Sequence, residues 1–253
     1  MRAPRLISIY FNSDPKKYII ECDVNDNHTF EDPLILLDSP LTDPYGINEQ
    51  GLYALGGEIN VSTLLESYKW GIFPWFAYKE ADEPHWYCPR QRFVIFPDEI
   101  HVSHSLRPLL NKKKYHISVN QKFEDVILNC SNVDSRALHP QAWLSDQIMS
   151  VFLRLHKLGY AKSVEVWEED TLVGGFYGFF QNGVFQGESM FSLSPSASQI
   201  GLVLFCRNPV IEGRRVKLID TQFETPTFKK LGGRYISYKD YRNIMDSETP
   251  NES

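Results

Sequence analysis

Ser163-Val-Glu-Val-Trp167, Leu172-Val-Gly-Gly-Phe-Tyr-Gly-Phe179 and Val184-Phe-Gln-Gly187 decide the architecture of this chain. They are rich in β-branched and aromatic residues and follow a period of two, the spacing that puts alternate side chains on opposite faces of a strand. Their joints are Glu169-Asp170 and Asn182-Gly183, and Asn-Gly between β-rich runs is the strongest short hairpin signal. An antiparallel meander is the result. Before it, Phe93 to Phe96 reads as a strand, Phe123, Val126, Ile127 and Cys130 form a helical stripe, and a helix from about Ser145 turns Ile148, Phe152 and Leu155 inward until Gly159 stops it. After it come a helix near Ala197–Cys206, a strand Val216–Ile219 ending at Asp220, a short helix near Pro226–Leu231 and a last strand Arg234–Ser237. Helices placed between and after strands of a largely antiparallel sheet give an α+β domain.

Upstream the pattern changes. Residues 1–50 are rich in Asp, Asn and Pro and read as an irregular leader. Val61, Leu64, Leu65 and Tyr68 then fall on one helix face, with Asn60 or Ser62 as cap and Gly71 as stop. Phe73-Pro-Trp-Phe76 and His85-Trp-Tyr87, bounded by prolines, read as a rigid aromatic loop. A boundary inside that loop divides the chain into an N-terminal domain, 1–90, and a second domain, 91–253.

With 253 residues, 42% hydrophobic and 23% charged, the chain can bury a sizeable core, and its net charge of −6 excludes a uniformly basic nucleic-acid binder. The excess is local: residues 1–60 carry 4 basic and 10 acidic side chains. Residues 86–120 carry 6 basic against 2 acidic, and residues 203–240 carry 8 against 4. Lys112, Lys113, Lys114, Arg214 and Arg215 stand in these two locally basic stretches. Cys22, Cys88, Cys130 and Cys206 lack zinc spacing and read as buried thiols of a reducing compartment. His101-x-x-His104 has no accompanying carboxylate pattern, so no metal is expected. The N-terminus lacks the apolar core of a signal peptide and no run is long enough to span a bilayer, so the expected location is cytoplasmic and no membrane is involved. GxSxG, HExxH, Walker A and GxGxxG signatures are all missing.

Two stretches carry candidate chemistry. Gly187-Glu-Ser-Met-Phe-Ser192 places a carboxylate at a strand end before two bulky apolar side chains, which could form a pocket with a charged lip; a solvated strand-end Glu188 is the plainer reading. In Asp220-x-Gln222 the two side chains would leave a strand on the same face, so that the carboxylate could orient the amide. Among the aromatics Tyr68, Trp75, Trp86, Tyr87 and Trp143, core packing explains most, while Trp75 beside Pro74 also suits base stacking.

These pieces in this order resemble the leucyl/phenylalanyl-tRNA–protein transferase family. The matching stretches are Gly51-Leu-Tyr-Ala-Leu-Gly-Gly-Glu58, Leu64-Leu-Glu-Ser-Tyr-Lys-Trp-Gly-Ile-Phe-Pro-Trp-Phe76, Leu155-His-Lys-Leu-Gly159, Ser163–Trp167, Leu172–Gly178, Phe185-Gln-Gly-Glu-Ser-Met-Phe-Ser192 and Leu218-Ile-Asp-Thr-Gln222, spanning about residues 50 to 240. The resemblance implies a small N-terminal domain joined to a C-terminal GNAT-like acyltransferase domain with a largely antiparallel sheet. It implies transfer of leucine or phenylalanine from aminoacyl-tRNA to the α-amine of proteins or peptides beginning with Arg or Lys, marking them for N-degron proteolysis. The loop that holds coenzyme A pyrophosphate in ordinary GNAT enzymes is not found in the sequence, and no cofactor is expected.

By resemblance, Gln222 contacts the attacking amine, Asp220 orients Gln222 in a relay, and Glu188 anchors polar groups of the tRNA end or the acceptor. Trp75 and Trp143 match family tryptophans that hold the terminal adenosine, Tyr68 in the same motif is a further candidate for binding the tRNA 3′ end, and Met190 and Phe191 are candidates for the aminoacyl pocket. The resemblance also makes the two locally basic stretches, with Lys112, Lys113, Lys114, Arg214 and Arg215, candidates for a tRNA-facing surface with salt-dependent affinity. The chain departs from the family pattern at Ala142-Trp143-Leu144 (for Thr-Trp-Ile), Thr221 (for Cys), Gln199 (for Lys), Thr227 (for His) and Trp86-Tyr-Cys-Pro89 (for Trp-Trp-Ser-Pro). Those positions bear on acceptor preference, so acceptors with acidic N-termini, or a non-catalytic binder of aminoacyl-tRNA ends, are the alternatives.

Overall fold

Asn60 starts a helix because its side chain can satisfy an amide that no helical partner reaches. In the computed structural model its Oδ1 accepts from the Thr63 N–H at 3.0 Å while Thr63 Oγ1 accepts from the Asn60 N–H at 2.9 Å, a reciprocal cap. The structure describes residues 5–9, 18–22, 51–55, 57–75, 84–136 and 146–247. They fall into two units, Met1–Arg90 with Pro140–Val151, and Gln91–His139 with Phe152–Ser253. A cut at residue 90 alone therefore leaves out 140–151, which group with the N-terminal unit.

In the first unit, strands β1 (Arg5–Ile9) and β2 (Tyr18–Cys22) pair antiparallel inside the leader that reads as irregular from its composition. Strand β3 (Leu52–Leu55) precedes the capped helix α1 (Val61–Lys69), which buries Leu64 and Tyr68. The expected aromatic loop instead contains two short strands, β4 (Phe73–Trp75) and β5 (His85–Tyr87), in a sheet of order β3-β5-β4. Pro74 is compatible with this because β4 is an edge strand, where one side of the backbone needs no ladder partner.

The second unit is built on a seven-stranded sheet. Its strands are β6 (Gln91–Ile95), β7 (His116–Val119), β8 (Ala161–Glu168), β9 (Thr171–Gln181), β10 (Val184–Ser192), β13 (Leu218–Asp220) and β14 (Arg234–Ser237). The small hairpin β11 (Val210–Ile211) and β12 (Arg214–Arg215) lies between β10 and β13 in sequence. The sheet order is β14-β6-β13-β10-β9-β8-β7, and every pairing is antiparallel except β10 with β13. The meander expected from the opening runs is β8-β9-β10. Its Asn182-Gly183 joint has φ of 52° and 77°, the pair of positive values that a two-residue type I′ turn requires.

Helices α2 (Arg107–Asn111), α3 (Phe123–Arg136), α4 (Asp146–Lys157), α5 (Ala197–Arg207), α6 (Pro226–Lys230) and α7 (Tyr238–Asp246) complete the chain, the division between the units falling inside α4. On one side of the sheet Val164, Val166, Phe176 and Phe185 bury against Ile200, Val203 and Phe205 of α5. Phe123 of α3 and Phe152 of α4 pack edge-on against Tyr177 of β9. Helices on both sides of the sheet explain why β8 to β10 read as nearly continuous apolar runs as well as alternating ones.

Candidate active site

The second unit brings Asp220, Gln222 and Glu188 together, by two local departures from regular strand. Strand β10 does not end at Gly187, as its pattern implied. It continues to Ser192 through a bulge: Gly187 pairs with Gly178 and Ser189 with Tyr177, leaving Glu188 as the extra residue. A bulge re-aims the side chain it carries and bends the strand. Gly178, opposite Gly187, leaves no room for a side chain, since a Cβ there would lie 2.1 Å from the Gln186 carbonyl oxygen.

The second departure follows β13. That strand stops at Asp220, so Gln222 lies outside it and the same-face arrangement expected of an i, i+2 strand pair does not occur. Instead the Thr221 N–H donates to Phe93 O at 3.1 Å, Thr221 Oγ1 donates to the same oxygen at 2.9 Å, and the Phe223 N–H donates to Thr221 O at 2.7 Å. Gln222, at the centre of this three-residue turn, has φ 64°. An i to i+2 bond around a positive-φ residue marks the rarer, strained form of γ-turn.

The side chains follow from that turn. Asp220 Oδ1 accepts the backbone N–H of Gln222 at 2.8 Å, whereas the Gln222 side chain points elsewhere, its Nε2 donating to Glu188 Oε1 at 3.2 Å. Asp220 thus touches Gln222 through the main chain, and a side-chain relay between the two is not the arrangement present. The Asp220 carboxylate is fully buried, and Arg92 Nε donates to its two oxygens at 3.0 and 2.9 Å, with Arg92 Nη2 2.8 Å from Oδ2. Arg92 sits over the ring of Tyr241, 4.8 Å from its centroid, and burial pushes the Tyr241 phenol well above its ordinary value, the nearby Asp220 charge adding to the rise.

Sequence reasoning missed Arg92 and Tyr241. Arg92 stands one residue ahead of Phe93, where the strand was expected to begin, and the helix that carries Tyr241 was not expected. Ser237 followed by Asp240 as a cap, and Tyr238, Tyr241 and Met245 at i, i+3 and i+7, were the available signals for that helix.

The other expected site residues belong to both units. Met190 packs partly buried against the α5 side of the core, whereas Phe191, 1% exposed, lies near Gly175 and Val126. As neighbours in one strand they look to opposite faces, so a single pocket wall cannot use both. In the N-terminal unit, Trp75 is half-buried and meets Tyr87 edge-on at 5.5 Å, and Tyr68 is completely buried in α1. Trp143 lies outside the described residues.

Several of the candidate basic residues are engaged internally. Lys114 pairs with Glu168 at 3.0 Å, Arg215 with Asp98 at 2.7 Å, and Arg214 with Glu212 at 3.8 Å while covering Phe180. Lys112 and Lys113 are exposed, and neither is ion-paired among the described residues. His101 Nδ1 lies 2.9 Å from Lys230 O. No group of three metal-ligating side chains occurs among the described residues, and no described helix is long and apolar enough to cross a membrane.

Comparison with known proteins shows what the chain is similar to. The sequence pattern described as leucyl/phenylalanyl-tRNA protein transferase matches residues 94–246, and the pattern for the N-terminal domain of the same transferase matches 57–90. The leucyl/phenylalanyl-tRNA–protein transferase of Hydrogenovibrio crunogenus is 41% identical over 79% of this chain and 76% of its own length. Those of Syntrophus aciditrophicus and Pectobacterium carotovorum are 40% and 41% identical, covering 78% and 80% of this chain and 80% of each relative.

Proposed function

The chain belongs to the leucyl/phenylalanyl-tRNA–protein transferase family, and from that premise we propose how its residues transfer leucine or phenylalanine from tRNA to a protein N-terminus. The donor is an aminoacyl ester. The acceptor amine attacks the ester carbonyl, a C–N bond forms, the C–O bond to the ribose breaks, and the ribose oxygen takes up the proton the amine gives away. The ester is already activated, so no covalent enzyme intermediate is needed and the task is alignment, which can contribute several kcal/mol.

The Gln222–Glu188 hydrogen bond is the observation that carries the assignment. With Nε2 committed to Glu188, the end of the Gln222 amide left to meet an amine is Oε1, a hydrogen-bond acceptor. A neutral amine has two N–H groups and one lone pair. One N–H given to Gln222 Oε1 and the other to the Glu188 carboxylate leaves the lone pair free for the carbonyl. Gln222 is then a positioning acceptor, consistent with the very weak basicity of an amide. Glu188 also suits a cationic N-terminal residue, which supports Arg or Lys as first acceptor residue.

Met190 is assigned to the aminoacyl side-chain pocket, where one methylene discriminates by about 1–3 kcal/mol. Trp75 and Trp143 are assigned to the terminal adenosine, and Tyr68, from the same motif as Trp75, to the tRNA 3′ end. Lys112 and Lys113 are assigned to the tRNA backbone.

The test supplies Leu-tRNA and Phe-tRNA with peptides beginning in Arg, Lys, Asp, Glu or a neutral residue. Extension of the Arg and Lys peptides is expected, slowed by about 100-fold or more in Gln222→Ala. Extension of the acidic peptides alone would refute the acceptor assignment, and unchanged turnover by Gln222→Ala would refute the site.

A further inference from the structure

We infer that Arg92 is a positioning residue of this reaction: through Asp220 it holds the strained turn that aims Gln222 at the acceptor amine. The inference rests on the site assigned above and adds to it a residue that touches neither substrate.

Three features of the geometry lead there. First, the Asp220 carboxylate is saturated. Arg92 Nε reaches both oxygens, Arg92 Nη2 reaches Oδ2, and the Gln222 backbone N–H takes Oδ1. A fully buried carboxylate whose two oxygens are both engaged is well placed as a fixed strut. Second, the residue it holds needs holding. Gln222 sits at φ 64°, a conformation L-residues avoid, and such conformations persist only where the surroundings over-determine them. Third, Arg92 is anchored from several directions. Its strand β6 pairs with β13 through Asp220 opposite Val94 and with β14 through Ile236 opposite Arg92 itself, and its guanidinium lies over Tyr241 of α7. The planar, forked guanidinium fixes the carboxylate plane, which a lysine ammonium in the same place would not.

The order of action is therefore Tyr241 and the sheet, then Arg92, then Asp220, then the Gln222 main chain, and finally the Gln222 amide. Both Asp220 oxygens accept N–H groups, so Asp220→Asn, which turns one acceptor into a donor facing the buried guanidinium, should slow transfer and loosen the Gln222 amide as Arg92→Lys does.

A double-mutant cycle tests this with single-turnover transfer from Phe-tRNA to an Arg-initiated peptide. Arg92→Lys is expected to slow transfer by about 100-fold in the parent chain, with donor KM little changed. In a Gln222→Ala background it should slow the residual rate by less than about twofold, because its effect is routed through Gln222. Equal slowing in both backgrounds, or none in the parent, overturns the inference, as does full activity in Asp220→Asn. Hydrogen exchange at the Gln222 amide, which needs no substrate, keeps this separate from the functional reading: faster exchange in Arg92→Lys than in the parent supports the strut even if no transfer is found, and unchanged protection refutes it.

Discussion

Gln222 combines a conformation that favours glycine with a side chain that glycine lacks, and the conflict is informative. Its φ of 64° costs a non-glycine residue roughly 1–2 kcal/mol. That cost is offset by the Asp220 acceptor on its N–H and by Thr221, whose backbone and hydroxyl both bond to Phe93 O. Gln222→Gly is expected to leave the melting temperature unchanged or raise it slightly while abolishing efficient transfer, whereas Gln222→Ala loses the amide without relieving the strain. Thermal unfolding of the two variants side by side checks this; a glycine variant less stable than the alanine one would show the turn to be unstrained. Asp220 and Gln222 were legible in the sequence as a pair. Their arrangement was not, because it depends on β13 stopping at Asp220, which is decided by the strands on either side of it.

At the scale of elements, the bulge in β10 is what turns Glu188 toward Gln222, and it depends on the close approach of β9. Adding a methyl at Gly178 would place it 2.1 Å from the Gln186 carbonyl oxygen, a backbone atom flanking the bulge. Gly178→Ala is therefore expected to destabilise the fold by about 1–3 kcal/mol in denaturant titrations, with transfer falling further than stability does because the bulge is displaced. Full stability in this variant would show that the strands separate without cost. The hairpin itself was readable from Asn182-Gly183 and the period-two runs. The continuation to Ser192 was not, because a bulge interrupts the alternation on which a strand assignment depends. Helix α7 adds a related case. Lys217, one of the residues that makes its stretch basic, donates to Ile244 O, Ser247 O and Ser247 Oγ at that helix's C-terminal end, and burial lowers its pKa. A sequence count includes it as surface charge, whereas in the fold it caps α7, the helix that sets Tyr241 beneath Arg92.

For the whole molecule, the same discrimination applies to the basic surface. Lys114, Arg214 and Arg215 have acidic partners, whereas Lys112 and Lys113, just past the end of α2, are exposed. Lys112→Glu with Lys113→Glu is expected to weaken binding of charged tRNA at low salt and to lower the log–log salt slope by about 1–2. Reversal of Arg214 and Arg215 should change the slope less, since their charge is already partly neutralised. Binding measured across a salt series checks both, and equal slopes in the two double variants would reject the ranking.

What the sequence determined by itself was local and chemical. Period-two runs, an Asn-Gly turn and helix caps specify elements through forces acting within a few residues, and the GIFPWF, GESMFS and IDTQ stretches point to the family and to Glu188, Asp220 and Gln222. The tertiary structure alone decided which groups meet. Arg92 and Asp220, 128 positions apart, form a buried ion pair because β6 and β13 are neighbours in the sheet. Met190 and Phe191 part company because strand geometry sends them to opposite faces. Which of the described basic residues stand in ion pairs depends likewise on where Asp98, Glu168 and Glu212 come to lie. Such interactions depend on distance in space, and separation along the chain carries no information about that until the sheet order is known.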